Sequence, residues 1–254
     1  QDPMAALNPT MTIGRQMAES TDGDGALILD WLRRTGITDP EQIAASYPHR
    51  LSGGQRQRVL IAMSMMSNPA LLIADEPTTA LDMTTQAQIL DLLRNLAREQ
   101  RTTILFITHD LGVAASLADR LVVLYAGRIV EIGGVPDILH NPAHPYSAGL
   151  LKVRFDLGSD RGRPLLVLPV DRRPAEGGKD ACVYARRCPL VQPDCAASAP
   201  QLRERGEHDR AVACYHTEQA ASLLRAARPD PWPARVVSQS VAALELRAVR
   251  KGFV

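Results

Sequence analysis

Long apolar runs are missing from these 254 residues. None approaches the ~20 consecutive apolar residues that a membrane-crossing helix needs, so any membrane role is expected to be peripheral. Lysine is scarce. Lys152, Lys179 and Lys251 are the only three, and arginine carries nearly all the positive charge. The formal net charge is +1, which makes no global case for nucleic acid or an anionic membrane surface. Cysteine is absent until Cys182. Cys182, Cys188, Cys195 and Cys214 then fall in one late segment, which suggests a local staple or cluster rather than core cysteines. The chain starts at Gln1 with no initiator Met and no charged-then-apolar leader. We therefore expect no secretory signal, and further sequence upstream. What remains is 45% hydrophobic and 22% charged, the composition of a soluble globular protein with one large domain or two modest ones.

Gln1 to Thr12 reads as loop, punctuated by Pro3, Asn8 and Pro9. Residues 13–34 carry helical patterning, broken at Thr21 to Gly25, and the second piece ends near Gly36. Asp39 and Pro40 suit an N-cap and first helical position. A small helical subdomain is expected over about 10–66. It closes with Leu51-Ser52-Gly53-Gly54-Gln55, a glycine turn running into the apolar helix from Val59 to Met66. Ser52 is a good N-cap. The two glycines let another molecule approach closely, and a helix start suits an anion. Strands are then expected at Leu71–Ala74, Thr103–Thr108, Leu121–Tyr125 and Arg128–Ile132, the last two joined at Gly127. Helices are expected at Thr84–Gln100, with apolar Ile89, Leu92, Leu93 and Leu96, and at Asp110–Ala118. Apolar strands alternating with helices predict an α/β fold whose parallel sheet is covered on both faces.

Asp75 and Glu76 end the first strand, where α/β proteins bind ligands. Asp75 suits Mg²⁺, which takes few carboxylates and keeps its water. Glu76 suits polarisation of a water that attacks a γ-phosphate. Pro77-Thr78-Thr79-Ala80-Leu81-Asp82 follows directly.

Together, Leu51–Gln55, Asp75–Asp82 and Thr108-His109-Asp110 resemble the ATPase domain of ABC transporters. The resemblance covers roughly residues 1–135 and implies the roles that follow. Ser52, Gly53, Gly54 and Gln55 would close on the γ-phosphate of ATP held by a partner domain. Asp82 would cross that dimer interface. His109 would contact the γ-phosphate and support Glu76. Gln1, in a segment resembling the Q-loop, would reach Mg²⁺ and the attacking water and couple the site to membrane subunits. Tyr47-Pro48-His49 fits the family and reads as structural.

The sequence departs from that family at one point. The phosphate-cradling loop G-x-x-x-x-G-K-S/T is absent. Lys179 follows Gly177-Gly178, yet Arg173 stands where the first glycine belongs and Asp180 where Ser or Thr belongs. In the family this loop precedes the Q-loop, so it is expected before Gln1. The chain would then carry the signature half of one ATP site and the catalytic carboxylate of another. Residues also look absent near Thr21–Gly25 and at the abrupt join Val153-Arg154-Phe155.

Asn141 to Leu151 (NPAHPYSAGLL) is similar to the tail of the oligopeptide and dipeptide importer subfamily, which often carries a cysteine-bearing extension. Here the spacing is C-x5-C-x6-C-x18-C. Four such cysteines can hold a 4Fe–4S cluster or Zn²⁺, and the alternative is reduced thiols or disulfides. The resemblance favours the cluster, in a structural role. His208 and His216 are expected to be solvated. Leu244 to Phe253 resembles the first strand of another such ATPase domain, with Phe253 placed to stack on adenine. The alternative is a plain C-terminal strand.

The expected organisation is an ATPase domain over 1–151 without its phosphate loop and a loop-rich four-cysteine extension over 152–228. A linker follows over 229–242, and a second ATPase domain starts at 243–254. The resemblance implies an ATP-hydrolysing subunit for peptide import. It would sit peripherally on the cytoplasmic face of a bacterial cytoplasmic membrane, using ATP and Mg²⁺. Its partners would be a second, fused ATPase domain, two permease subunits and an extracytoplasmic peptide-binding protein, with no nucleic acid. Nickel, haem and glutathione importers share the tail. Two other classes stay open: a soluble ABC ATPase acting on nucleic acid or ribosomes, and a non-hydrolytic assembly domain.

Overall fold

A computed structural model describes residues 3–21, 23–79, 81–153, 181–206 and 209–225. Gln1, Phe253, His208, the expected linker and the expected second-domain strand lie outside them. The N-terminal region is helical: α1 (Pro3–Ala6), α2 (Ile13–Ala18), α3 (Gly25–Arg34), α4 (Pro40–Ala44) and α5 (Gly53–Met65). The expected loop over the first twelve residues therefore contains one helical turn, which opens on Pro3. Proline serves there because the first N–H of a helix has no partner in any case. Asp24 caps α3 by accepting from the N–H groups of Ala26 and Leu27. Asp39 sits at the cap of α4 but makes no capping hydrogen bond, so there the sequence expectation gave the position without the interaction.

The chain then alternates through β1 (Leu71–Asp75), α6 (Met83–Gln100), β2 (Thr103–Ile107) and α7 (Leu111–Leu117). Next come β3 (Arg120–Tyr125) and β4 (Arg128–Gly134), followed by α8 (Val135–His140) and α9 (Pro145–Val153). Ala126 and Gly127 join β3 to β4 with φ of 46° and 75°. That double left-handed pair matches the natural twist of a two-stranded ribbon.

One apolar cluster joins the helical region to α6. Met17, Trp31, Leu32, Val59, Met65, Ile89, Leu93 and Leu96 all belong to it. On α6, Leu90 is buried, while the expected Leu92 only packs against the edge of the cluster. Leu72, Ile104 and Phe106 bring the inner face of β1 and β2 onto this core.

The sheets differ from the expected single parallel sheet covered on both faces. Among the described residues β1 and β2 form a two-stranded parallel pair, with Asp75 opposite Ile107. Their outer face is open: Leu71, Ile73, Leu105 and Ile107 are 46–61% exposed. The other strands form a separate antiparallel sheet in the order β3-β4-β6-β5. Its last two members are β5 (Arg203–Glu204) and β6 (Ala211–Val212). The cysteine-bearing segment thus adds strands to the edge of β4, pairing Glu131 with Val212 and Ile132 with Ala211.

Candidate functional site

The parallel pair carries its chemistry at the C-terminal end. Glu76 follows β1 and extends the ladder by one bond, its N–H donating to the Ile107 carbonyl at 2.9 Å. Its φ is 45°, in the left-handed region, which costs a non-glycine residue roughly 1–2 kcal/mol. The Thr79 N–H, donating to the Glu76 carbonyl at 3.2 Å, closes the turn that holds this conformation. One carboxylate oxygen lies 3.0 Å from His109 Nδ1, and the other accepts from the Thr79 hydroxyl at 2.9 Å. These contacts, led by the one to His109, hold the Glu76 carboxyl below its ordinary pKa. It is therefore ionised at neutral pH and accepts from Nδ1–H, which leaves His109 Nε2 for another partner.

His109 owes its outward position to its neighbours. The Thr108 hydroxyl accepts from the Asp110 N–H at 3.0 Å. Asp110 caps α7, accepting from Gly112 N–H at 2.7 Å and Val113 N–H at 3.3 Å. The flanking polar side chains are thus spent on the turn, and the imidazole, 78% exposed, is presented to Glu76 and to solvent. Asp75, the last residue of β1, is half-buried, and among the described residues its carboxylate accepts no hydrogen bond from the protein.

Two helix starts lie side by side near this edge. Ser52 and Gln55 form a reciprocal capping box on α5: the Ser52 hydroxyl accepts from Gln55 N–H at 3.2 Å, and Gln55 Oε1 from Ser52 N–H at 2.9 Å. Asp82 caps α6, accepting from the N–H groups of Thr84 and Thr85 at 3.0 Å and from the Thr85 hydroxyl at 2.6 Å. The Thr85 bonds hold the Asp82 carboxyl below its usual range. Within this chain Gly54 is already closely approached: a Cβ there would stand 2.9 Å from Thr85 Cγ2. Gly53 has ordinary room, at 3.6 Å from Leu81. The sequence signal for the α6 cap was present in the spacing Asp82-x-Thr84-Thr85, a polar residue two and three positions before free N–H groups.

A second centre gathers all four cysteines. Cys182, Cys188, Cys195 and Cys214 line one cavity with His144, Tyr184 and His216. All four are free thiols. Cys182 N–H donates to the Cys195 carbonyl at 2.8 Å, and the backbone turn Ala185–Arg187 delivers Cys188. Cys195 lies in α10 (Pro193–Ala197). The His216 N–H donates to Cys214 Sγ at 3.3 Å. Burial pushes the Cys188 thiol up to about 12, and the other three cysteines add to this. Burial also raises Cys195 and Cys214. Without a cation these groups are neutral thiols, and a bound metal would reverse that balance.

His216 is not solvated as expected. Its side chain is 16% exposed, and its Nε2 lies 3.1 Å from the Asp194 carboxylate. His144 is buried beside Tyr184, and burial lowers its pKa to about 4, which keeps it neutral. Glu131, fully buried in β4, anchors this region. Its carboxylate accepts from Ala143 N–H at 2.8 Å, His144 N–H at 3.0 Å and Arg210 Nη2 at 3.0 Å. The same Arg210 nitrogen reaches the Asn141 carbonyl. Sequence reasoning missed Glu131, although a carboxylate between Val130 and Ile132 is the signal of a buried acid that needs a partner.

The family model described as ABC transporter matches residues 1–79, and that described as oligopeptide/dipeptide transporter, C-terminal region, matches residues 130–195. A protein of Brucella ovis, named for peptide import and ATP binding, is 46% identical over 221 residues. These are 82% of this chain and 65% of that protein. The dipeptide transport ATP-binding protein DppD of Bacillus subtilis is 42% identical over 231 residues, 87% of this chain and 68% of that one. The oligopeptide transport ATP-binding protein OppD of Mycobacterium tuberculosis is 42% identical over 227 residues, 86% of this chain and 37% of that one. The chain thus spans about two thirds of the Brucella and Bacillus relatives and a little over a third of the longer one. On these likenesses, and on motifs that the fold brings to one strand edge, the chain belongs to the ATP-binding proteins of ABC transporters, in the peptide-transport branch.

Proposed function

We propose that this chain is part of an ATP-hydrolysing subunit that energises peptide import across the cytoplasmic membrane. The observation that carries this reading is Glu76 held between His109 and Thr79 at the end of a parallel strand pair. In the reaction, Asp75 would hold Mg²⁺, which would offset charge on the phosphates. Glu76 orients and polarises the water that attacks the γ-phosphate. His109, whose Nδ1 supports Glu76, offers Nε2 to that phosphate. Gln1 would add a ligand to Mg²⁺ and orient the attacking water. Ser52, Gly53, Gly54 and Gln55 close on the γ-phosphate of ATP held by a second ATPase domain, and Asp82 lies at that interface. The sequence contains no stretch with the pattern of a phosphate loop, and in this reading the loop that cradles ATP would be supplied from outside it. The length of the mycobacterial relative beyond the matched part supports a fused second domain, where Phe253 would stack on adenine. Two permease subunits and an extracytoplasmic peptide-binding protein complete the assembly. Among the described residues no helix is long and apolar enough to cross a membrane, which suits a peripheral subunit on the cytoplasmic face.

Cys182, Cys188, Cys195 and Cys214 would hold a 4Fe–4S cluster, and the fit is chemical. Four thiols, one buried and three half-buried, line one cavity, and one sulfur already accepts a backbone N–H. Among the described residues no three of these sulfurs lie within 4.8 Å of one another. When bound, the cluster would cross-link the four cysteine-bearing points of the extension. Zn²⁺ is the second reading, favoured by Asp194, Cys195 and His216, whose ligand atoms do lie within 4.8 Å of one another.

The test of the ATPase reading is Glu76→Gln in the full-length protein with its partners. Phosphate release should fall by roughly 10²–10⁴-fold while ATP binding persists. Undiminished turnover would remove Glu76 from its role. Iron, sulfide and zinc analysis of anaerobically purified protein separates the two metal readings.

A further inference from the structure

Thr79 has no task in the proposed reaction, yet it holds the group at its centre. Its hydroxyl donates to one Glu76 carboxylate oxygen at 2.9 Å, and His109 Nδ1 lies 3.0 Å from the other. A carboxylate only accepts, so the hydroxyl proton of Thr79 is committed to it. The backbone repeats the link, because Thr79 N–H donates to the Glu76 carbonyl at 3.2 Å. Along β1, Leu72 packs on the apolar core and Ala74 is buried, while Leu71 and Ile73 are exposed. Continued alternation would send Glu76 the way of Leu72 and Ala74, toward the core. Its φ of 45° breaks the alternation at that residue. The carboxylate is turned out of strand geometry, and its side-chain torsions are then set by the donors it meets.

The two donors differ in how firmly they are held. The His109 side chain is 78% exposed. Thr79 is β-branched, hence stiff at χ1. It sits in a turn closed by its own N–H and by the Leu81 N–H, which donates to the Thr78 carbonyl at 3.2 Å. Pro77 and Thr78 are buried and seat that turn. Thr79 is thus the fixed donor. We propose that Thr79 is a positioning residue for ATP cleavage, its hydroxyl fixing the rotamer in which Glu76 meets the attacking water. The contact does not block the water, because each carboxylate oxygen has room for a second donor. Holding a reacting group in one geometry removes a search from the cleavage step. This inference rests on the reading that Glu76 activates the attacking water.

The test uses the full-length protein with its partners and measures ATP cleavage at steady state and in a single turnover, which reports the cleavage step itself. Thr79→Val keeps the branched shape and removes the hydroxyl. Its kcat and single-turnover rate should fall about tenfold, a part of the roughly 10²–10⁴-fold that a general base supplies. KM for ATP should not change, because the contact acts on the transition state and not on ATP binding. Thr79→Ser keeps the hydroxyl and loses the methyl, and its cleavage rate should stay near the wild-type value. Equal losses in the two variants would assign Thr79 to packing of the turn and overturn the inference. A raised KM at unchanged kcat would make it a contact to ATP and overturn it too. Should Thr79→Val fail to fold, Thr79→Ala takes its place with the same expected loss. Wild-type cleavage without the hydroxyl, alongside an inactive Glu76→Gln, overturns this inference alone. An active Glu76→Gln overturns the reading of Glu76 and this inference together.

Discussion

Glu76 shows how one residue's surroundings set its chemistry. The His109 and Thr79 contacts both favour its charged form, and its carboxyl is lowered from the ordinary 4.5. The order those contacts give the site is complete above the ordinary value and fades as pH falls through the lowered one. His109→Ala should move the Glu76 titration upward, read by carboxyl-carbon NMR, and Thr79→Val should move it less. No movement in either would mean that the contacts do not persist in solution. Gly54 is a second residue-scale case. Thr85 cannot turn its methyl away cheaply, because it is β-branched and its hydroxyl is held by Asp82 at 2.6 Å. Gly54→Ala should cost about 1–3 kcal/mol in urea unfolding, and Thr85→Ser in the same chain should recover much of it. Additive effects of the two changes would show that the positions do not touch.

At the scale of elements, the joint between β4 and β6 is the one whose energetics are largest. Glu131 and Arg210 are an ion pair with almost no solvent access, and Glu131 also accepts two backbone N–H groups. Removing one partner strands the other in the interior. Glu131→Ala should destabilise the chain by about 3–5 kcal/mol, while replacing both partners with apolar residues should cost less. Thermal unfolding of the two variants checks this, and a larger loss in the double variant would contradict it. This joint was not legible in the sequence. Contacts between residues 131 and 210 leave no local periodicity, and the β6 strand has only two residues. The local elements were legible for the opposite reason. The spacing of Ile89, Leu93 and Leu96 announced α6, and Ser52 announced the cap of α5, though not the reciprocal bond from Gln55. Gly54 was legible as a close approach, but what approaches it lies on another helix.

For the whole molecule, the outer face of β1 and β2 matters most. The continuous apolar runs of those strands were read as burial on both faces, yet Leu71, Ile73, Leu105 and Ile107 form an open apolar strip among the described residues. Alternation and run length report what a strand is suited to bury, not which segment covers it. These 254 residues alone should self-associate with concentration, seen by sedimentation, and Ile73→Glu with Ile107→Glu should shift them toward monomer. Monomeric behaviour at all concentrations would mean that this face is covered within the chain. The positions of Glu76, His109 and the four cysteines along the chain were legible, because motifs and spacings are local. The gathering of the cysteines was expected, but the place of His144 in their cavity was not legible, because it depends on how the segment after residue 180 folds back onto β4.

That folding back sets an order of events at synthesis. Glu131 and Arg210 are 79 residues apart. At 5–20 residues per second the ribosome delivers the arginine roughly 4–16 s after the carboxylate. Until then the corner at residues 141–144 holds an acid with no cation beside it, so β4 cannot settle into its final packing. The cysteine segment is therefore a late component of the ATPase sheet itself. A ribosome arrested before residue 210 should present a nascent chain that proteases cut near β4, and release past that point should protect it.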